Sequence, residues 1–139
     1  MTEQSKEHPH TAPLRVLLVE DSIVLQERLR ELLEFIPGVA VIDTAVSESA
    51  AVEVVRSRPV DAMILDLRLK QGTGFGVLRA LAKLPHRAVA IVLTNYALPQ
   101  YRREAMALGV RYFLDKSCEF DQLASVLREV ADARKSAGP

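Results

Sequence analysis

The chain is short of the features that mark several large protein classes. Its 139 residues include one cysteine, Cys118, so neither an intramolecular disulfide framework nor a multi-cysteine zinc site can form. There is no tryptophan, and aromatic residues make up 5% of the chain. Neither charge sign is in excess, with 18 Lys and Arg against 18 Asp and Glu, which removes the bulk electrostatic signature of a nucleic-acid binder. No apolar run approaches the roughly 18 residues needed to span a bilayer. The opening MTEQSKEHPHTAP has no apolar segment of the secretory kind. Low-complexity tracts and internal repeats are also missing. These absences leave a single cytoplasmic domain as the expectation.

What is present is a regular alternation. Residues 1–13 are polar and read as a mobile tail, and His8 and His10 in it lack a nearby carboxylate cluster that would make a metal site. From Leu14 onward, short apolar runs alternate with amphipathic stretches. The strands are expected at 14–20, 39–44, 60–66, 88–94 and 110–114. The helices between them are expected at 22–35, 47–57, 74–84 and 99–108. Ser117 is a candidate cap for a last helix lined by Phe120, Leu123, Leu127 and Val130. The domain should run over 14–134, with 135–139 a flexible end. Such an order, (βα)5, implies an α/β fold with a doubly wound parallel five-stranded sheet and helices on both faces.

In a parallel sheet of this kind, function collects where the strands end. Strand one ends in Glu20 and Asp21, strand three in Asp66, strand four in Thr94 and Asn95, and strand five close to Lys116. Each alone is an ordinary strand-end residue or helix cap. Together they bring three carboxylates, a hydroxyl and an ammonium to one edge. Carboxylates held close repel one another, and a hard divalent cation such as Mg²⁺ relieves that repulsion. Lys116 can pair with a carboxylate or with a phosphoryl oxygen. Acids for a metal, a hydroxyl and a lysine suit phosphoryl transfer, which depends on positioning and charge neutralisation. A Gly-rich nucleotide loop is missing from VEDSIVLQ, and Arg68 stands where a haloacid-dehalogenase-type phosphohydrolase would need a second acid.

Over about 14–133 the chain resembles the receiver domains of bacterial two-component response regulators. The matching positions are Glu20-Asp21, Asp66 in ILDLRL, Gly74, Thr94 in IVLTN, Phe113 in GVRYFLDKS, and Lys116. The resemblance implies the flavodoxin-like strand order 2-1-3-4-5. It implies that Asp66 accepts a phosphoryl group from a sensor histidine kinase or a histidine phosphotransfer protein, giving an aspartyl phosphate. It also implies Mg²⁺, or Mn²⁺ in its place, held by Glu20, Asp21, Asp66 and the Arg68 carbonyl. Thr94 and Lys116 would hold phosphoryl oxygens. Movement of Thr94 would let Phe113 turn inward and alter the surface formed by the fourth and fifth helices and the fifth strand. Output would pass to a protein target, from a monomer or a phosphorylation-dependent homodimer, with no nucleic acid or membrane contacted directly. This makes the chain a self-phosphorylating and self-dephosphorylating switch, not a classical enzyme.

Several positions depart from the family pattern. Lys70 replaces a common proline, which predicts a looser loop. Ser117 follows Lys116 where proline is usual, and Asn95 follows Thr94 where a small residue is usual. Arg68 and Tyr96 flank the expected path of an attacking water and are candidates for tuning phosphate lifetime. The helix-start position of Cys118 could lower its pKa, but nothing else marks it as a redox site. Tyr112 is expected to pack against the sheet. A degenerate receiver acting as a phosphorylation-independent interaction module is the alternative. The Met1 start and KSAGP ending are those expected of a stand-alone regulator.

Overall fold

A computed structural model describes residues 12–118 and 120–137. The expected tail therefore lies almost wholly outside the described residues, as do His8 and His10. Ten elements alternate: β1 Leu14–Val19, α1 Ile23–Leu33, β2 Val39–Ala45, α2 Glu48–Ser57, β3 Ala62–Leu65, α3 Gly74–Ala82, β4 Val89–Thr94, α4 Pro99–Ala107, β5 Tyr112–Asp115 and α5 Phe120–Ala137. All strands pair in parallel in the order β2-β1-β3-β4-β5. This is the flavodoxin-like doubly wound sheet.

The central strands are apolar without interruption because both of their faces are covered. Alternate residues feed two cores. Leu17, Met63, Leu65 and Val92 point to the side of α2, α3 and α4. Leu14, Val16, Leu18, Ile64 and Ile91 point to the side of α1 and α5. The β1–β2 register shifts between Val16 and Leu17, a local irregularity at the edge strand.

The strands differ from expectation at their ends. β3 is shorter, 62–65 instead of 60–66; Asp61 and Asp66 flank it, their amides still bonded to the Arg15 and Val19 carbonyls of β1 and their side chains engaged by Arg15 and Lys116. β5 starts and ends later, at Tyr112–Asp115. The backbone helix of α5 continues through Ala137, past the boundary expected at 134. Three helices begin on hydroxyl caps: Ser22 accepts from the Leu25 amide, Ser47 from Ala50 and Thr73 from Gly76. α4 has no side-chain cap and starts instead with Pro99 in its first turn. Among the described residues Ser117 makes no capping bond to α5. It sits in the preceding turn, where its amide donates to Asp115 Oδ1 at 2.8 Å.

Candidate functional site

The carboxyl ends of β1, β3, β4 and β5 bring the predicted residues to one edge. Asp66 follows β3 directly and is 6% exposed, while Glu20 follows β1 and is 4% exposed. Their backbones are locked to neighbouring strands: the Glu20 amide donates to the Ala45 carbonyl and the Asp66 amide to the Val19 carbonyl. Lys116 lies just past β5, its own amide bonded to the Thr94 carbonyl at 2.9 Å. Its ammonium reaches between the two acids, 2.6 Å from Asp66 Oδ2 and 2.9 Å from Glu20 Oε1. Burial by itself would lower the pKa of this lysine. Hydrogen bonds to Asp66 and Glu20 outweigh that, and the net direction is upward. The group is therefore an ammonium at neutral pH.

The remaining oxygens are also engaged. Glu20 Oε2 accepts from the Ser22 amide at 3.0 Å, and Asp66 Oδ1 accepts from the Arg68 amide at 3.3 Å. Asp21 does not join the Lys116 cluster by any hydrogen bond among the described residues. Instead its Oδ2 accepts from the Lys70 amide at 2.7 Å. A proline at position 70 would have no N–H to give. The Lys70 departure therefore ties the β3–α3 loop to Asp21, contrary to the looser loop expected. Thr94 is fully buried, and its Oγ1 accepts from the Tyr96 amide. Asn95 is exposed beside it.

Two arginines stack on the aromatic residues of this edge. The Arg68 guanidinium lies 4.4 Å from the centre of the Tyr96 ring, so Arg68 is not simply solvated. Arg102 lies 5.0 Å from that of Phe113. Phe113 is itself buried in the core, and this inward position is the one the resemblance assigns to the modified state. Tyr112 packs against the opposite core, and its hydroxyl donates to Glu129. The thiol of Cys118 is pushed up by burial and by Asp115, opposite to the lowering that a helix start would bring. The Lys116–Ser117 peptide is trans.

The available donors are all carboxylate or carbonyl oxygen, the kind Mg²⁺ takes, and it needs few of them because it retains waters. Their arrangement is another matter. Among the described residues, no three Asp, Glu, His or Cys side chains form a metal-holding group. In this conformation Lys116 offsets part of the charge of Glu20 and Asp66. The residues fit the ion in kind, with Asp21 the acid farthest from the lysine's hold.

Two supporting residues were not singled out in the sequence. Gln26 is buried, and its amide nitrogen donates to the carbonyls of Glu20 and Ala45. Its position three before Leu29 and seven before Leu33, on the apolar stripe of α1, is the signal that could have found it. The second is Glu48, in the first turn of α2.

This chain belongs to the response regulator receiver domain family, whose model matches residues 16–128. The chemotaxis protein CheY of Treponema pallidum is 27% identical and covers 86% of this chain and 87% of its own length. YvfU of Bacillus subtilis, an uncharacterized transcriptional regulatory protein, is 27% identical over 91% of this chain. The chain spans 63% of YvfU, and 40% of the nitrate/nitrite regulator NarP of Escherichia coli. Among solved structures, the non-phosphorylated HemR receiver domain of Leptospira biflexa is 32% identical, with a TM-score of 0.75 over 86% of this chain and 94% of its own. A CheX–CheY complex with BeF3 and Mg²⁺ from Borrelia burgdorferi shares the fold at 21% identity and a TM-score of 0.79, over 86% and 90% of the two chains. Among the described residues, no helix is long and apolar enough to cross a membrane.

Proposed function

We propose that this receiver is phosphorylated on Asp66 by a histidine kinase or histidine phosphotransfer protein and acts in the cytoplasm by protein contact. The observation that carries this reading is the buried Asp66 carboxylate at the end of β3, paired with Lys116, next to β4, which ends in the buried Thr94. In the transfer, an Asp66 oxygen bonds to phosphorus as the P–N bond of the phosphohistidine breaks. The nitrogen keeps the electron pair and takes up a proton. Glu20, Asp21, Asp66 and the Arg68 carbonyl would hold Mg²⁺, or Mn²⁺ in its place, whose charge offsets that of the transferring group. Lys116, released from part of its hold on the acids, then supplies a positive partner for a phosphoryl oxygen. Thr94 supplies a hydroxyl donor to another. Hydrolysis restores the carboxylate when water attacks phosphorus, and the chain turns over no other substrate.

The signal would leave through α4, β5 and α5, where Phe113 and Arg102 join the core to the surface. The target is a protein, and either a monomer or a phosphorylation-dependent dimer would present this surface. Acetyl phosphate with Mg²⁺ should add one phosphoryl mass to the intact protein. Asp66→Asn should abolish the adduct, and EDTA or Asp21→Ala should suppress it. Failure of the unmodified protein to be labelled by a cognate kinase and by the small donor would establish the degenerate, phosphorylation-independent module. Full labelling in EDTA would remove the metal assignment alone.

A further inference from the structure

The loop from Leu67 to Thr73 carries the Arg68 carbonyl and the Lys70 amide, and it is held from two sides. On one side the Lys70 amide bonds Asp21 at 2.7 Å. Within the loop, Arg68 and Thr73 pair as an antiparallel bridge. On the far side stands α2, whose first residue, Glu48, grips the loop twice. The Glu48 amide donates to the Gln71 carbonyl at 3.0 Å, and Glu48 Oε1 accepts from the Thr73 amide at 2.9 Å.

The glycines of this segment are shaped to the same contact. A Cβ on Gly76 would overlap the Glu48 carboxylate, and one on Gly72 would overlap the Glu48 side chain from its Cβ outward. A Cβ on Gly74 would overlap the Asp66 carbonyl oxygen. The loop is thus pressed between the first turn of α2 and the backbone of the phosphoacceptor itself. Any displacement of Thr73 passes along a short, bridged segment to Arg68.

We propose that Glu48 is a positioning residue for the Asp66 site, clamping the β3–α3 loop so that the Arg68 carbonyl and the Lys70–Asp21 tie stand ready beside the phosphoacceptor. The inference rests on the phosphorylation reading above. A plainer role is available for an acid in a first helical turn, namely a favourable interaction with the helix dipole of α2. The two roles separate cleanly. The dipole responds to charge, whereas the clamp needs an acceptor for the Thr73 amide, which glutamine retains.

The test compares the unmodified chain with Glu48→Ala, Glu48→Gln and Gly76→Ala. Labelling by acetyl phosphate is followed by intact mass across a Mg²⁺ titration. Glu48→Ala should slow labelling by about tenfold and raise the half-saturating Mg²⁺, as loss of an outer-shell partner does. Glu48→Gln should restore most of the rate. Gly76→Ala puts a better helix former into α3 while evicting the Glu48 carboxylate. It should slow labelling without lowering the melting temperature, and it should add nothing on top of Glu48→Ala. Amide exchange at Lys70 and Thr73, measured without donor, should quicken in Glu48→Ala and not in Glu48→Gln. Unchanged exchange, together with equal labelling of all variants, would overturn the clamp. If the unmodified chain does not label, the phosphorylation reading fails, and the exchange measurement alone decides whether the clamp exists.

Discussion

The two edges of the sheet carry opposite versions of one electrostatic arrangement. At the carboxyl edge a single cation, Lys116, is shared by two buried acids, Glu20 and Asp66. At the amino edge a single acid, Asp61, is shared by two arginines, Arg15 and Arg134, each at 3.0 Å. The signs follow the helices. Helix amino termini face the carboxyl edge with partial positive charge, and carboxyl termini face the amino edge with partial negative charge. The arrangements differ in burial. The Lys116 side chain is 14% exposed and its acids are nearly enclosed, whereas Arg15 is 45% exposed. Water can re-solvate the amino-edge charges when a partner is lost, but it has little access to the other set. The carboxyl edge therefore holds charge that must be neutralised by something, which suits a site where ligands exchange. The amino edge is structural: Asp61 ties β1, β3 and α5 together and reaches no residue of the phosphoacceptor cluster.

Breaking the carboxyl-edge set should have the largest effect. Lys116→Met leaves Glu20 and Asp66 buried together without their cation. It should cost about 3 kcal/mol, read as a fall of roughly 10 °C in melting temperature. Because the folded pKa of Lys116 is raised, its contribution is complete below the unfolded value of 10.5 and is lost as pH rises through the folded one. The gap between variant and parent should therefore hold from pH 7 to 9 and narrow above 10.5. Equal melting at pH 7 would mean that the acids find another counterion. Asp61→Asn should do less, about 1 kcal/mol in urea unfolding at pH 7. Burial would raise the pKa of Asp61, but the Arg15 hydrogen bonds outweigh it and the net direction is downward. Its contribution is present above 3.8 and disappears as pH falls through the folded value, so the two proteins should converge in acid. A gap that survives unchanged well below pH 3.8 would assign the effect to packing.

The same contrast explains how far the sequence could be read. Hydrophobic period and strand-end chemistry located all five strands and brought Glu20, Asp66, Thr94 and Lys116 to one edge, because each of those signals is local in the chain. The tie between Lys70 and Asp21 was not legible, since a backbone amide leaves no mark in the side-chain pattern. Glu48 was hidden for a related reason: an acid in a first helical turn has an ordinary role, and its contact with Thr73 spans two βα units. Gln26 sat inside LQERL, where a polar residue looks solvated unless its register against Leu29 and Leu33 is counted. Strand ends shifted by a residue or two, and at β3 the shift falls on Asp61 and Asp66, whose amides still bond β1 while their side chains engage Arg15 and Lys116.

The smallest expected effect lies at the rim of the carboxyl edge, where burial gives way to exposure. Tyr96 is 40% exposed, and the Arg68 guanidinium stacked on it lies beside the loop that leaves Asp66. An exposed cation–π pair of this kind contributes about 0.5–1 kcal/mol. If the stack shields phosphorylated Asp66 from water, Tyr96→Ala should shorten the phosphoryl half-life by about threefold. Melting should be left within roughly 0.5 kcal/mol of the parent. Arg68→Ala should give a similar rate, and the double variant should be no faster than either single one, because both remove one interaction. Additive rates would mean that the two side chains meet water separately, and a slower decay in Tyr96→Ala would show that the ring helps to place the attacking water.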